Sequence, residues 1–599
     1  VEEKDKGWQQ FQRVKLDRKQ LTRRAKKIET AGTRHAHRFV IRRISNIRLV
    51  QREVTVWLLI VGAIIAGLGA QTVWGQMNYM KAAPAAGGSY VEAAVGPINS
   101  LNPLYMSSSA ESSVSRLVFS SLYTYDEVSS LRGDIADSLV VSEGGKVYTV
   151  TIRDDVQWHD GTPLSAKDVV FTVNLMKNPL TRSALRINWV DVSVKEVSKD
   201  TVQFTLPASY AAFPYALTFA ILPEHLLGSI NPAAVREHTF SQAPVGSGPF
   251  KFELFQQVDP IRNIRAVHMT ANRDYYAGPP KLDRFELQAH KDEDAIIKAL
   301  KAGEVSGAAD VSAKSSDLVS EGRYAKTPLP LSSGVYLMFN TISAPFNDAK
   351  VRKALQVGTN TSAVREDIGH GTRPLELPFI GAQVGDVTNL PKAPAYNPVE
   401  ANRILEEAGW KLEANARVKD GKKLQITITT TKSKEYESSA EIVRSQWSKL
   451  GIDVKKKVID ASAENSNFVQ DTLQGRNFEV LLYELAIGAD PDVYAYWHSS
   501  QMGQSGYNFT SYANKTADAA LASARARTEP ELRNAKYRQF AKLWLDDVPA
   551  IGLYQPVVEY ISTKRSSTVG EYARVVTSSD RYANVLNWTV DNGTVYKTP

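Results

Sequence analysis

The residues best suited to chemistry are two carboxylates around a proline, Asp490-Pro491-Asp492. Carboxylates this close can divide acid and base roles, because one ionised group raises the pKa of the other. The same tripeptide is also an ordinary turn, since Asp bonds its own backbone and Pro presets φ. Gly246-Ser247-Gly248 has the small residues of a phosphate cradle, but neither a G-x-G-x-x-G continuation nor a terminal Lys follows, which favours a backbone turn. Of nine histidines, His35 and His37 fall in an N-terminal tail; His159, His225, His238, His268, His290, His370 and His498 are scattered without metal-ligand spacing. The chain has no cysteine, which removes thiolate metal sites, disulfides, a cysteine nucleophile and a lipidated cysteine. Walker, G-x-S-x-G and H-E-x-x-H motifs are missing too. This inventory points away from an enzyme and implies neither cofactor nor metal.

Stepping from these groups to what must carry them, 599 residues allow roughly three or four packed units. Ten Trp, 25 Tyr and 19 Phe exclude a solvated, disordered chain. The net charge of +8 is a property of the tail. Residues 1–53 hold 16 Lys/Arg against 6 Asp/Glu, and the remainder holds 56 against 58. A protein-wide nucleic-acid surface is therefore not expected. Residues 54–74 contain no charge and are apolar for 21 residues, enough to span a bilayer core of about 30 Å as a helix. Trp57 and Trp74 would lie about 26 Å apart on it, at the two interfaces. The basic flank predicts residues 1–53 in the cytoplasm and all that follows outside. Its length, and that of the apolar run, favour an uncleaved anchor over a signal peptide. The tail either rests on anionic lipid or is a solvated arm. Residues 75–87 read as a linker.

The outer part alternates strand and helix signals, which predicts a mixed α/β protein. A strand is expected at 146–152. Ser165 with Asp168 makes a capping box for the helix that follows. Asp292 and Gly303 bracket a second helix. Asn397, Pro398 and Gly409 bracket a third, with Pro at its first turn and Gly beyond its end. Strand 424–431, helix 437–450 and strand 452–459 form a crossover whose strands should be parallel. A further strand is expected at 478–485, and Thr528 with Glu531 should cap a helix to about 546.

At 133–176 the sequence reads GDIADSLVVSEGGKVYTVTIRDDVQWHDGTPLSAKDVVFTVNLM. This stretch resembles the signature region of family 5 extracellular solute-binding proteins, the oligopeptide-, dipeptide- and nickel-binding components of bacterial ATP-binding-cassette (ABC) importers. PVGSGPF at 244–250, NRDYYAGPPKLD at 272–283, ALKAGEV at 299–305, YLMFNTISAPFNDAKVRKAL at 336–355 and YNPVEANRILEEAGW at 396–410 resemble further family segments in the family's order. The resemblance implies a two-lobed, periplasmic-binding-protein-like clamp. Lobe I would be 88–334, with an extra subdomain at 111–239, and would be completed by 558–599. Lobe II would be 335–557.

It also implies a site. A first-lobe loop at Ser107, Ser108 and Ser109 and a second-lobe segment, Tyr483, Glu484, Leu485, Ala486 and Ile487, would pair with a ligand backbone, a mode that tolerates varied side chains. Trp189 falls near a pocket aromatic of the relatives, while Asp490, Tyr494 and Trp497 would wall the cleft or belong to the lobe core. Peptide-binding relatives place an Asp three residues before the D/E-P pair to hold the ligand's α-ammonium. Ile487 stands there, so the countercharge would fall to Glu484, Asp490 or Asp492. The sequence thus predicts a membrane-anchored extracellular receptor that captures a small molecule, foremost a peptide, for an ABC permease. The rival reading is a clamp that senses ligand and signals through the span.

Overall fold

The computed structural model describes residues 51–596, apart from 263, 370, 462, 464, 465 and 573. The basic tail with His35 and His37, and also His370, lies outside the described residues. Helix α1 (Gln51–Tyr79) carries the apolar run. It is long and apolar enough to cross a membrane over Gln51–Trp74, and nearly all its side chains there are exposed. The linker expected at 75–87 is corrected at its start. No proline interrupts the chain before Pro84, so the helix continues to Tyr79 and an extended stretch, Met80–Ala85, follows.

The rest is built on two mixed sheets. Along the chain come β1 (Ser89–Val95), α2 (Ser109–Val118), β2 (Ala136–Ser142), β3 (Val147–Ile152), α3 (Ala166–Lys177), β4 (Ser193–Ser198) and β5 (Thr201–Thr205). Next are β6 (Phe250–Asp259), β7 (Ile264–Ala271), β8 (Arg284–His290), α4 (Glu293–Ala302), β9 (Gly307–Val311) and β10 (Tyr324–Pro330). Then follow β11 (Ser333–Phe339), α5 (Pro398–Glu407), β12 (Gln425–Thr431), α6 (Lys434–Ser448), β13 (Asp453–Ile459), β14 (Val480–Ala486), α7 (Lys515–Ala526), α8 (Pro530–Asp547), β15 (Ala550–Tyr554) and β16 (Val557–Thr563). A seven-stranded sheet, β10-β16-β9-β1-β8-β7-β6, forms the first lobe, and a five-stranded sheet, β13-β12-β14-β11-β15, the second. A four-stranded antiparallel sheet, β2-β3-β5-β4, packs with α3 as an appendage of the first lobe.

Local signals explain most element ends. Ser165 N–H donates to Asp168 Oδ2 at 2.9 Å, closing the capping box of α3. Asp292 accepts from Ala295 N–H at the start of α4, and Gly303 ends it at φ 73°. Asn397 caps α5 with Pro398 in its first turn. The crossover β12–α6–β13 is parallel, with Ile426 beside Val454 and Ile428 beside Lys456. One expectation is corrected: α8 starts at Pro530, whose fixed φ suits the first turn, and Thr528 lies outside it. Strand β11 shows how the second lobe is layered. Val335, Leu337 and Phe339 face one core with Ile428, Val443 and Trp447, while Tyr336 and Met338 face another with Trp497, Tyr537 and Trp544. Helices cover both faces, so every residue of the strand is buried.

The chain crosses between the sheets twice, at 331–332 and at 555–556. The crossings lie side by side. Leu331 N–H donates to Pro556 O at 2.9 Å, and Gln555 Nε2 donates to Leu331 O at 2.8 Å. After the second crossing the chain returns to the first lobe, where Arg581 forms an ion pair with Glu92 of β1; both side chains are fully buried. Tyr560 donates to the other Glu92 oxygen at 2.7 Å, Tyr582 donates to the same carboxylate, and Arg581 reaches Ser113 Oγ of α2 at 2.8 Å.

Removing one member of such a pair strands the other charge in the interior. Glu92→Ala should therefore cost about 3–5 kcal/mol, while the paired replacement Glu92→Leu with Arg581→Met should cost much less. Denaturant titration of both variants checks this; equal losses would mean that the charges are not the critical feature.

Candidate functional site

A cavity of about 1220 Å³ lies between the lobes. First-lobe walls come from the end of α2, from the appended subdomain and from the returning segment near 576–580; second-lobe walls come from β14, the 492–501 region and α7. No single segment could form this cavity.

Arg116 is in the last turn of α2, and its guanidinium donates to Thr124 Oγ1. The helix end beneath it is clamped by Gly246-Ser247-Gly248. A Cβ on Gly246 would lie 1.9 Å from Val118 O, and one on Gly248 would lie 2.6 Å from Val118 C, so only glycine allows the approach. Gly248 N–H donates to Val118 O at 2.8 Å, and Ser120 Oγ donates to Ser247 O at 3.0 Å. His159 locks the same turn. Its Nδ1 accepts from Gly246 N–H at 3.2 Å, which leaves Nε2 to donate to Gly248 O at 3.0 Å. Burial pushes its pKa down to about 4, so the ring is neutral in the fold. Asp580 enters the wall from the returning segment, where it accepts from Thr577 N–H at 2.7 Å; burial raises its pKa.

Around Trp189 the lining is apolar. The indole meets Phe219 edge-on at 5.1 Å and Phe213 at 5.8 Å, and is nearly buried. The second-lobe side carries an ion pair, Arg525 Nε to Asp492 Oδ2 at 3.1 Å. Burial pushes the Asp492 carboxyl up and the guanidinium opposes this, while Asp492 and Tyr210 hold Arg525 above its ordinary pKa despite burial. Tyr210, opposite Arg525, is itself pushed up to about 12 by burial.

These walls form a partly open chamber whose second-lobe charges, Arg525 and Asp492, pair with each other. That is the architecture of a receptor for a buried solute. The model of bacterial extracellular solute-binding proteins, family 5 (middle region), matches residues 130–507. The chain belongs to this family. It is 30% identical over 491 residues to the oligopeptide-binding protein AppA of Bacillus subtilis (strain 168), covering 79% of this chain and 87% of that protein. Its fold is similar to the solved structure of that species' AppA in complex with a nonapeptide, at 26% identity and a TM-score of 0.67 over 85% of this chain and 99% of that one. It is likewise similar to NikZ from Campylobacter jejuni in complex with Ni(L-His), at 27% identity and a TM-score of 0.69 over 84% and 99%. These likenesses bear out the family resemblance and the clamp fold.

Of the twelve site residues expected from the sequence, Trp189 and Ala486 line the cavity of this family 5 protein. Ser107, Ser108 and Ser109 are engaged within their own lobe. Ser107 N–H donates to Glu111 Oε2 at 2.6 Å, Ser108 Oγ donates to Pro97 O at 2.6 Å and caps α2, and Ser109 Oγ donates to Asp310. Leu485 and Ile487 lie in the second-lobe core. Trp497 is fully buried against Trp544 and Tyr336, so of its two readings the core one holds. Asp490 grips Arg533 with both oxygens, at 2.5 and 2.6 Å. Glu484 accepts from Ser333 and from Tyr436, each at 2.6 Å. Tyr494 stacks on His498 at 4.1 Å.

Tyr483 packs on Phe468, and its main chain faces inward. Ile487 N–H donates to Ser332 O at 2.9 Å, and β14 is antiparallel to β11 with Tyr483 opposite Tyr336. Hydrogen-bonded pairs alternate in such a ladder, so the N–H groups of 483 and 485 point to β11, and those of Glu484 and Ala486 to the other edge. On that edge β12 pairs only as far as Leu482. Arg116, Tyr210, Tyr496, Arg525 and Asp580 were not foreseen. They come from separate segments and carry no shared local pattern.

The His159 ring gives a pH signature. Its folded pKa is depressed, so its contribution is full above the ordinary histidine pKa of about 6.5 and is lost as pH falls toward about 4. Between pH 7 and 5 the wild type should lose about 2 kcal/mol more than His159→Gln. Denaturant titrations at the two pH values test it; parallel losses would remove His159 as the acid-sensitive group.

Proposed function

We propose that this chain captures a solute, foremost a peptide, between its lobes and delivers it to an ABC importer permease. The observation that carries this reading is the cavity lined from both lobes in a member of family 5. The relative crystallised with a nonapeptide supports peptide as the ligand class. The lobes are then 88–334 with subdomain 111–239 and the return 558–599, and 335–557 between them. Residues 54–74 hold the receptor in the cell membrane, with the N-terminus cytoplasmic and the clamp outside, which raises its effective concentration at the permease.

Within this reading, the α-ammonium goes to Asp492. Of the three carboxylates that could replace the Asp lacking at Ile487, all have partners within the protein, but Asp492, paired with Arg525, is the one that borders the cavity. Ala486 offers the outward N–H for main-chain pairing, with its carbonyl already taken by Tyr496 Oη at 2.7 Å.

Melting of the full chain is measured with di- to nonapeptides, nickel–histidine complexes, oligosaccharides and opines. A peptide at 100 times its Kd should add about 2.7 kcal/mol of apparent stability. A shift with nickel–histidine alone would replace the peptide, and no shift with any solute would overturn the receptor reading. Asp492→Asn should weaken free peptides more than N-acetylated ones. Ala486→Pro should weaken binding with the sheet intact, whereas Tyr483→Pro should damage the sheet. Equal affinity of Ala486→Pro and wild type would exclude pairing at that N–H.

A further inference from the structure

The lobes touch through contacts of different character. Lys434–Asp294 at 3.6 Å and Lys314–Asp367 at 3.2 Å also bridge them, but all four side chains are more than 40% exposed, and such pairs contribute little. Arg525 is different. Its guanidinium carbon lies 4.7 Å from the ring centre of Tyr210 in the first lobe and 4.5 Å from that of Tyr494 in the second. Asp492 Oδ2 lies 3.1 Å from its Nε. Its main chain also crosses the cleft: Ala211 N–H donates to Arg525 O at 3.0 Å.

The first-lobe half of this contact is held firmly. Tyr210 N–H donates to Gly145 O at 3.3 Å, Tyr148 Oη donates to Tyr210 O at 2.7 Å, and Ser209 Oγ donates to Gly144 O at 2.7 Å. Gly145, at φ 87°, lets this hairpin turn come against α8's approach; a Cβ there would lie 3.3 Å from Thr528 Cγ2. The subdomain thus presents a braced loop to the second lobe, and Tyr210 and Arg525 both line the cavity.

We propose that Arg525 is an interlobe latch: clasped between Tyr210 and Tyr494, and bonded through its carbonyl to Ala211, it holds the cleft shut at the subdomain side and positions the cavity wall. The proposal rests on the reading that the lobes open and close on a solute. A planar guanidinium over two rings, one from each lobe, is a contact that Lys cannot reproduce in full. Because the latch uses only the chain's own atoms, it biases the cleft toward closure before solute contributes, and solute then needs less differential affinity to complete it.

The absence of cysteine makes the test direct. Val197→Cys in the subdomain and Leu532→Cys on α8, both exposed, accept spin labels, and the interlobe distance is read by pulsed electron resonance on the full chain. Without solute the labelled wild-type background should give one short, narrow distribution. Arg525→Ala and Arg525→Lys should lengthen and broaden it, Tyr210→Ala should do the same, and Tyr210→Phe, which keeps the ring and loses only the hydroxyl's contact with Arg525, should do so much less. Nonapeptide, where it binds, should leave Arg525→Ala at least tenfold faster. Circular dichroism separates an opened cleft from a misfolded lobe. An Arg525→Ala chain with native dichroism and the wild-type distribution overturns the latch, as does Tyr210→Phe opening the cleft as far as Tyr210→Ala. A chain that binds nonapeptide yet shows no Arg525 effect keeps the receptor and loses the latch; one that opens on Arg525→Ala but binds no solute keeps the latch and loses the receptor.

Discussion

The fold depends on one buried charge pair. Glu92 in the first strand of the first lobe and Arg581, 489 residues later, meet without contact with water. The chain has by then left for the second lobe and come back, and this pair fixes where it lands. The desolvation cost of two buried charges is large, and a well-packed apolar pair could match its stability. Placement is what the ion pair adds. Glu92 accepts from Arg581, Tyr560 and Tyr582, and Arg581 also reaches Ser113 on α2, so one register satisfies the set. Thr577 and Asp580, beside Arg581, border the cavity, and α2 carries Arg116 to it. The pair therefore couples the closure of the chain to the shape of the site.

The second constraint is the double crossing between the lobes. Two neighbouring segments, tied by Leu331 and Gln555, form a connection with few residues to flex. Such a connection concentrates any motion at 331–332 and 555–556, the usual condition for hinge closure. Ser332 also accepts the Ile487 N–H that sets the phase of β14. The same place that links the lobes thus decides which main-chain groups of the second lobe face outward. This is a mechanical reason for Ala486, rather than Tyr483, to present its N–H at the open edge.

Much of the fold could be read from the sequence because its signals are local. Ser165 and Asp168 cap a helix three residues apart, Gly303 ends one, and the alternation around α6 identifies a parallel crossover. The site was less readable because its residues are tertiary neighbours. Trp189, with no aromatic neighbour in sequence, borders the cavity, whereas Trp497, just after Tyr494 and Tyr496, fills a core against Trp544. Neither local pattern says which of the two meets the cavity. Asp490 and Asp492 differ likewise: the neighbour in sequence is Pro491 for both, while Arg533 takes one and Arg525 the other. The apolar run at 478–485 located β14, but only the ladder with β11 determines which of its residues turn outward.

Charge pairing inside the cavity bears on what such a receptor can select. Arg525 and Asp492 satisfy each other, and Arg116 is held by Thr124, so several of the charged groups a solute meets are already engaged. A charged ligand group gains less from a paired partner than from a lone one, because it must compete with the existing contact. Side-chain charge is then a weak discriminator, and shape against Trp189, Phe213 and Phe219 a stronger one. Main-chain pairing at Ala486 would add affinity without regard to side chain. On the proposed reading, these features together favour a receptor that admits many peptides over one that recognises a single solute, with selectivity set by how completely the lobes close around each of them.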